Sequence, residues 1–196
     1  MGKTIKIRYC LVLFAVLPSF AFSQALSPKS KAVKAAWEAL VKQPGAKQCQ
    51  LTYLRVFPEN KHDFIAVFDR DDFTQLYTES NKYIESFIAL VKNYPAQVID
   101  KSINIGKDLR WNADAINYLQ HGIVEIGISN TIIFSKKLNS LTPKQKGRLV
   151  KFLADVENHK AYPQYQQLIN ALTKTGEKSL AHKFELARTE RENEKE

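Results

Sequence analysis

The sequence predicts an all-α protein, either a multi-helix bundle or a short stack of antiparallel helical hairpins, with about eight or nine helices. Apolar residues recur at the i, i+3, i+4, i+7 spacing of an amphipathic helix along most of the chain. Capping residues followed by proline mark helix starts at Ser27-Pro28 and Thr142-Pro143. The chain has only 7 glycines and no low-complexity linker. Short connections of this kind favour antiparallel packing of consecutive helices.

The N-terminus has the composition of a cleaved secretory signal peptide. Lys3, Lys6 and Arg8 precede an apolar run over residues 10–17, and small residues follow it up to Ser23. The run is shorter than the roughly 20 apolar residues that a membrane-spanning helix needs. We therefore expect an exported protein, periplasmic or secreted, without a transmembrane segment in its mature form.

This interpretation divides the chain into three parts. Residues 1–23 are the signal peptide, residues 24–187 are a single helical domain, and residues 188–196 are a charged tail expected to fray into solvent. Cleavage after Ser23 makes Gln24 the first mature residue. The alternative is cleavage after Ala25.

The charge of the chain is positive but dispersed. The full chain has 29 basic and 20 acidic residues, and the leader removes three basic ones, so the mature charge is 26 − 20 = +6. A nucleic-acid site would need a denser basic patch, so we expect no nucleic-acid partner. Cys49 is the one cysteine outside the leader and cannot form an internal disulfide. Its apolar neighbours indicate a small buried side chain.

The first half of the domain divides into helices at its prolines. We predict one helix from Pro28 to the Pro44-Gly45 stop, a second that ends at Pro58, and a short third from Asn60. A fourth is predicted from the longest apolar stripe, which starts at Phe73 and ends near Asn93.

The middle of the chain is less uniform. Pro95 opens a further helix that closes at Gly106, and Trp111 is expected to begin the next one. Between Gly122 and Phe134, glycines weaken a helix while β-branched residues would suit a strand. We favour a helix with a kink or break between residues 127 and 130, because a lone strand would have no partner.

The last helices have clear start and stop signals. Thr142 and Gln145 form a predicted capping box, in which each side chain bonds the other residue's backbone amide. Pro163 starts the next helix and Gly176 ends it. The final helix buries a stripe that ends at Ala187.

One helical face combines residues that could bind a metal or transfer a proton. Asp114, Tyr118, His121 and Glu125 fall at i, i+4, i+7 and i+11, so they share a face. Oxygen and nitrogen donors that converge in this way can bind a metal, and a carboxylate beside an imidazole suits acid–base chemistry. A metal site would need a third ligand from another helix, and the sequence indicates none. The alternative is an ordinary polar face with one His–Glu pair.

The sequence contains no other recognisable motif for catalysis or for binding a metal or a phosphate. The sequence has no phosphate-binding glycine loop, no Cys-x-x-Cys, no His-Glu-x-x-His and no Gly-x-Ser-x-Gly. An EF-hand loop that starts at Asp69 would need glycine and glutamate where Thr74 and Ser80 stand. We expect no metal and no cofactor, and interpret Asp69, Asp71 and Asp72 as a loop before a helix.

Protein binding is the function that these features favour. Export, an all-helical domain and the missing catalytic motifs are typical of an inhibitor, an immunity-type protein or an adaptor. Tyr94, Tyr162 and Tyr165, near helix ends, are candidate exposed anchors for a partner. The hypothesis requires an exposed apolar or aromatic patch on the folded domain.

Two alternatives remain. A small hydrolase of envelope glycan or peptide would use carboxylates such as Glu79, Glu85 and Glu125, or the polar face around His121. A carrier of an apolar ligand would need an internal cavity, for which the candidate lining residues are Ile84, Phe87 and Trp111.

Overall fold

The computed structural model describes residues 26–68, 76–112, 114–156 and 162–194. The all-α prediction is confirmed, since the described residues form α-helices and no strand; their number is ten, slightly more than the eight or nine expected. The helices are α1 Pro28–Lys42, α2 Lys47–Val56, α3 Lys61–Phe68, α4 Ser80–Ala89, α5 Pro95–Gly106, α6 Ala115–Ser129, α7 Thr131–Asn139, α8 Pro143–Ala154, α9 Gln164–Lys174 and α10 Lys178–Asn193. The predicted signal peptide 1–23 and the acidic loop 69–72 lie outside the described residues.

Helix α6 lies at the centre of the bundle. It packs against α4, α5, α7, α8 and α9. Helices α1 and α2 form a hairpin beside α3, and α10 covers α8 and α9 at the other end. The central position follows from the composition of α6, because apolar residues on several sides leave no broad polar face. None of the helices that the structure describes is long and apolar enough to cross a bilayer.

Aromatic side chains fill the core of the first half. The rings of Phe57 and Phe87 stack with centroids 3.9 Å apart and planes within 2°. Tyr53 is fully buried, and its hydroxyl donates to the backbone carbonyl of Tyr83 at 2.8 Å. The phenol thus satisfies its polar atom while its ring packs, and this ties α2 to α4.

The predicted caps at both ends of the domain are confirmed. The Ser27 hydroxyl accepts from the backbone amide of Ser30 at 3.1 Å. Thr142 and Gln145 form the reciprocal capping box at the start of α8. Gly176 has φ +87°, which ends α9 in a backbone conformation that glycine adopts without a Cβ penalty.

Helix α4 is shorter than predicted. The apolar stripe was expected to be helical from Phe73. Residues 73–75 lie outside the described residues, residues 76–79 are not helical, and α4 begins at Ser80 with a single 3₁₀ turn that extends it to Lys92. The backbone amide of Leu76 donates to the carbonyl of Val67 at the end of α3. This bond ties the buried Leu76 to α3 in place of a helical bond within α4.

The ambiguous stretch from Gly122 to Phe134 is helical and contains no strand. It divides between α6 and α7 at Asn130, which has φ −134° and ψ 41°. The Ser129 hydroxyl bonds the carbonyl of Glu125, a local bond that competes with the helical ladder near the break. The favoured break is therefore confirmed.

Further expectations about helix ends and burial need correction. Trp111 does not begin a helix, because α6 starts only at Ala115. The charged C-terminal stretch expected to fray is helical as far as Asn193, and Arg191 pairs with Asp155 of the α8 cap at 2.6 Å. Cys49 is half-buried against the core rather than fully enclosed.

Candidate functional site

A cleft between α4 and α6 is the site at which the predicted polar face meets another helix. Its volume is about 370 Å³. Four residues of each helix line it: Ile84, Glu85, Ile88 and Ala89 from α4, and Tyr118, His121, Gly122 and Glu125 from α6. Both sets repeat at the three- and four-residue spacing of one helix face, so the cleft runs along two facing helices. We call this the α4–α6 cleft.

The floor of the cleft is apolar because the two helices approach closely there. Gly122 has no side chain, and a Cβ at this position would lie 2.6 Å from Cγ1 of Ile88. Ile84 is fully buried and Ile88 is half-buried. The glycine therefore sets the helix separation and leaves isoleucine side chains at the base of the cleft.

The rim of the cleft is acidic. Glu85 on α4 and Glu125 on α6 are exposed. Among the described residues, neither carboxylate has a cation within ion-pair distance. None of the eight lining residues is a lysine or an arginine. The cleft is thus locally negative in a chain of net charge +9.

His121 is held in place by a tyrosine from outside the two helices. The Tyr162 ring lies 4.2 Å from the imidazole, with 15° between the planes. Burial lowers the pKa of His121, and the charge of Glu125 opposes that effect in part. The imidazole is therefore neutral at neutral pH and can both donate and accept a hydrogen bond.

Three of the four residues of the predicted polar face line the cleft. Tyr118, His121 and Glu125 do so, and Asp114 does not. Asp114 has φ 62° and precedes the first residue of α6, so it leaves the helical register that the prediction extended to it. No group of three or more metal-binding side chains occurs among the residues that the structure describes.

The predicted tyrosine anchors are mostly buried. Tyr165 is 1% exposed, and its hydroxyl donates to the carbonyl of Phe184 on α10. Tyr162 is 9% exposed, because its ring covers His121. Tyr94 is half-buried at the start of α5. Burial against α6 and α10 excludes Tyr162 and Tyr165 as exposed anchors, and Tyr118, 40% exposed in the cleft, is the better candidate.

The candidates for the two alternative functions are placed unevenly. Of the three carboxylates proposed for hydrolysis, Glu85 and Glu125 share the cleft, while Glu79 lies before α4 and pairs with Lys82. The residues proposed to line a carrier cavity differ in their surroundings. Phe87 is stacked in the core, and Trp111 is 37% exposed before α6.

Sequence reasoning missed three features of the cleft. Ile88 was interpreted only as part of an apolar stripe, and Gly122 only as a weak helix residue. The stacking of Tyr162 on His121 joins residues far apart in the chain and had no sequence signal. Gly122 among β-branched residues was the one available signal, since a glycine inside a helix often marks a close approach.

Outside the cleft, the exposed large apolar side chains of the described chain are dispersed. They lie on α1, before α6, on α7 and on α10: Val41, Trp111, Ile132, Ile133 and Leu186. Only the pair on α7 is adjacent in sequence, and Ile132 is 73% exposed.

Compared with known proteins, the chain matches no protein-family model, no curated protein and no solved structure.

Proposed function

We propose that this chain is an exported, non-enzymatic protein that binds another protein, in an inhibitor, immunity-type or adaptor role. The observation that carries the proposal is the α4–α6 cleft, in which an exposed aromatic ring, Tyr118, stands beside an apolar floor and an acidic rim. Interfaces concentrate their binding energy in such places, where an aromatic anchor adjoins a pocket.

The geometry of the cleft suits a side chain of a partner better than a whole small molecule. At about 370 Å³ the cleft is near the lower end of ligand pockets, which span roughly 300–1,000 Å³. It runs along the surface between two helices and opens to solvent over the exposed Glu85 and Glu125. A protruding residue of a partner can enter it while the surrounding surfaces meet.

The proposal is tested by isolating a complex from the envelope. The purified protein is mixed with an envelope extract, and the bound material is separated by size-exclusion chromatography and identified by mass spectrometry. A single protein partner at fixed stoichiometry supports the proposal. Retention of wall polymer or lipid without any protein contradicts it.

Export of the protein is tested separately, in the natural host or in a bacterial expression host. N-terminal sequencing of the protein from the periplasm or medium is expected to begin at Gln24, with Leu26 as the alternative start. Recovery of the uncleaved chain in the cytoplasm alone would contradict the localisation.

A second function is favoured by one observation, the placement of Glu85 and Glu125 on the two walls of one cleft. Glycoside hydrolysis uses two carboxylates on either side of the scissile bond. Incubation with purified peptidoglycan and chromatography of released fragments tests this function. Release that is lost in both Glu85→Gln and Glu125→Gln favours the hydrolase, and no release from the wild-type protein rules it out for this polymer.

A further inference from the structure

The α4–α6 cleft combines an apolar floor with an acidic rim, and this combination selects for a particular side chain. Ile88 and Ala89 form the accessible base above the fully buried Ile84, and Glu85 and Glu125 stand at the rim. A purely apolar side chain would leave both carboxylates without a partner. A small cation would gain nothing from the isoleucines. A side chain with an apolar stem and a cationic end uses both parts of the cleft.

Charge complementarity gives the sign of the occupant. The chain is basic overall, yet the cleft is lined by two carboxylates and by no lysine or arginine. Tyr118 adds an exposed ring whose face attracts cations. The neutral His121 adds no positive charge at neutral pH.

Resting on the proposed function, we propose that the α4–α6 cleft receives a lysine or arginine side chain of the protein partner. The aliphatic stem lies on the half-buried Ile88 and on Ala89, and the cationic end is placed between Glu85 and Glu125. The surfaces around the cleft then supply the remaining contacts, and the cation sets the register of the two proteins.

His121 makes this recognition depend on pH. The groups that face it are Glu85 from α4, Tyr118 and Glu125 from its own helix, and Tyr162 before α9. Of these, only the two carboxylates carry charge near neutral pH. Protonation of His121 in acid places a cation beside Glu125 and competes with the incoming side chain. Because burial lowers the pKa of His121, affinity is expected to fall only as the pH drops below the ordinary histidine range.

The first experiment uses short peptides as probes. Acetylated, amidated alanine pentapeptides with arginine, lysine, citrulline or norleucine at the centre are titrated into the purified protein and followed by NMR. The arginine and lysine peptides are expected to shift the backbone amides of residues 84–89 and 118–125. Their affinity should exceed that of the neutral peptides by about fivefold, a ratio that corresponds to about 1 kcal/mol.

Matched variants then locate the binding charge. Glu85→Gln and Glu125→Gln should each lower the affinity for the arginine peptide by about threefold or more. Glu38→Gln, on the exposed face of α1, should leave that affinity unchanged. His121→Phe keeps an aromatic ring against Tyr162 and should remove the pH dependence. Equal binding of arginine and citrulline peptides, or no shifts in the cleft at about 10 mM peptide, overturns the inference.

The complex with the natural partner separates this inference from the proposed function. The inference is supported if the double variant Glu85→Gln/Glu125→Gln no longer captures the partner while the double variant Ile132→Ser/Ile133→Ser still does. Capture lost only in the isoleucine variant keeps the protein-binding function and overturns the cleft as its site. Absence of any protein partner overturns both.

Discussion

Tyr162 covers one face of His121 and bonds the backbone of the same residue. The ring centroids are 4.2 Å apart, and the Tyr162 hydroxyl donates to the His121 carbonyl at 3.4 Å. Tyr162, which lies just before the N-cap of α9, is thereby attached to the middle of α6. Because the stacked ring excludes water from the imidazole, the pKa of His121 falls, and the pKa of Tyr162 rises by its own burial.

The stability of the fold is expected to fall in mild acid through His121. Its folded-state pKa is lowered by burial, so the unfolded chain binds the proton more readily than the folded chain does. The contribution of neutral His121 is fully present above the ordinary histidine pKa of about 6.5 and is lost as the pH falls below it. Urea unfolding from pH 7.5 to 5 should show a smaller loss in His121→Phe than in the wild type.

Tyr118→Phe, a change on the same helix that keeps His121, provides the control for that measurement. If His121→Phe shows the same pH dependence as the wild type, the stacked histidine is not its source.

Two glycine-to-alanine substitutions should change stability in opposite directions. Gly122→Ala places a Cβ 2.6 Å from Ile88 and should destabilise the fold by about 1–3 kcal/mol. Gly147 lies on α8, and a Cβ added there would meet no neighbouring atom within 4 Å. Gly147→Ala should therefore stabilise the fold by about 0.5–1 kcal/mol through helix propensity. Thermal unfolding by circular dichroism measures both. Ile88→Ala combined with Gly122→Ala should recover part of the loss, and equal effects of the two single substitutions would refute the close approach.

Removal of one buried hydroxyl should weaken the contact between α2 and α4. Tyr53→Phe keeps the ring but deletes the bond to the Tyr83 carbonyl, which is 2.8 Å long and buried. We expect a loss of about 1–2 kcal/mol in the unfolding free energy. Tyr118→Phe, at a 40% exposed position, should change it by less than about 0.5 kcal/mol. A loss as small in Tyr53→Phe as in that control would argue against the bond.

Gln120 should be the most sensitive polar residue of α6. It is fully buried, and its amide donates to the carbonyls of Phe152 and Asp155 at the end of α8. Gln120→Leu removes the donor and should cost about 1–3 kcal/mol in chemical unfolding. Gln48→Leu, which removes an exposed amide on α2, serves as the control. Similar costs at the two positions would show that the link from α6 to α8 contributes little.

Asp114→Gly is expected to stabilise the protein. Asp114 has φ 62° and ψ −117°, a backbone conformation that glycine adopts readily and other residues rarely do. Relief of this strain should raise the unfolding free energy by about 1 kcal/mol. Asp114→Ala keeps the strain and should give no gain. A lower melting temperature for the glycine variant than for the alanine variant would contradict the assignment.

Local signals in the sequence were sufficient for three of the helix ends. Ser27, Thr142 with Gln145, and Gly176 all act through atoms within a few residues, so their types predict their structures. The predicted start of α4 was wrong because it depends on a contact with a residue of another helix. Leu76 has the spacing of a helical residue, but a bond to Val67 in another helix decides its conformation.

The residues of only one wall of the candidate site were grouped from the sequence, while Glu85 on the other wall was named without a link to them. Helical spacing was enough to group Tyr118, His121 and Glu125, because they share one helix. The opposite wall comes from α4, and no pattern along the chain states which helix packs against α6. Tyr162 failed as an exposed anchor for the same reason, since a position near a helix end does not reveal which residue will cover it.

The central position of α6 has a consequence for how the molecule opens. A helix that packs against five others cannot lose its backbone hydrogen bonds unless most of those neighbours also separate. Its amide protons should therefore exchange with deuterated solvent only through global unfolding, more slowly than those of α1 or α10 at the edges. The wall of the cleft that holds His121 is thus expected to open later than the helices at the edges, so a bound side chain would meet a surface that is already ordered.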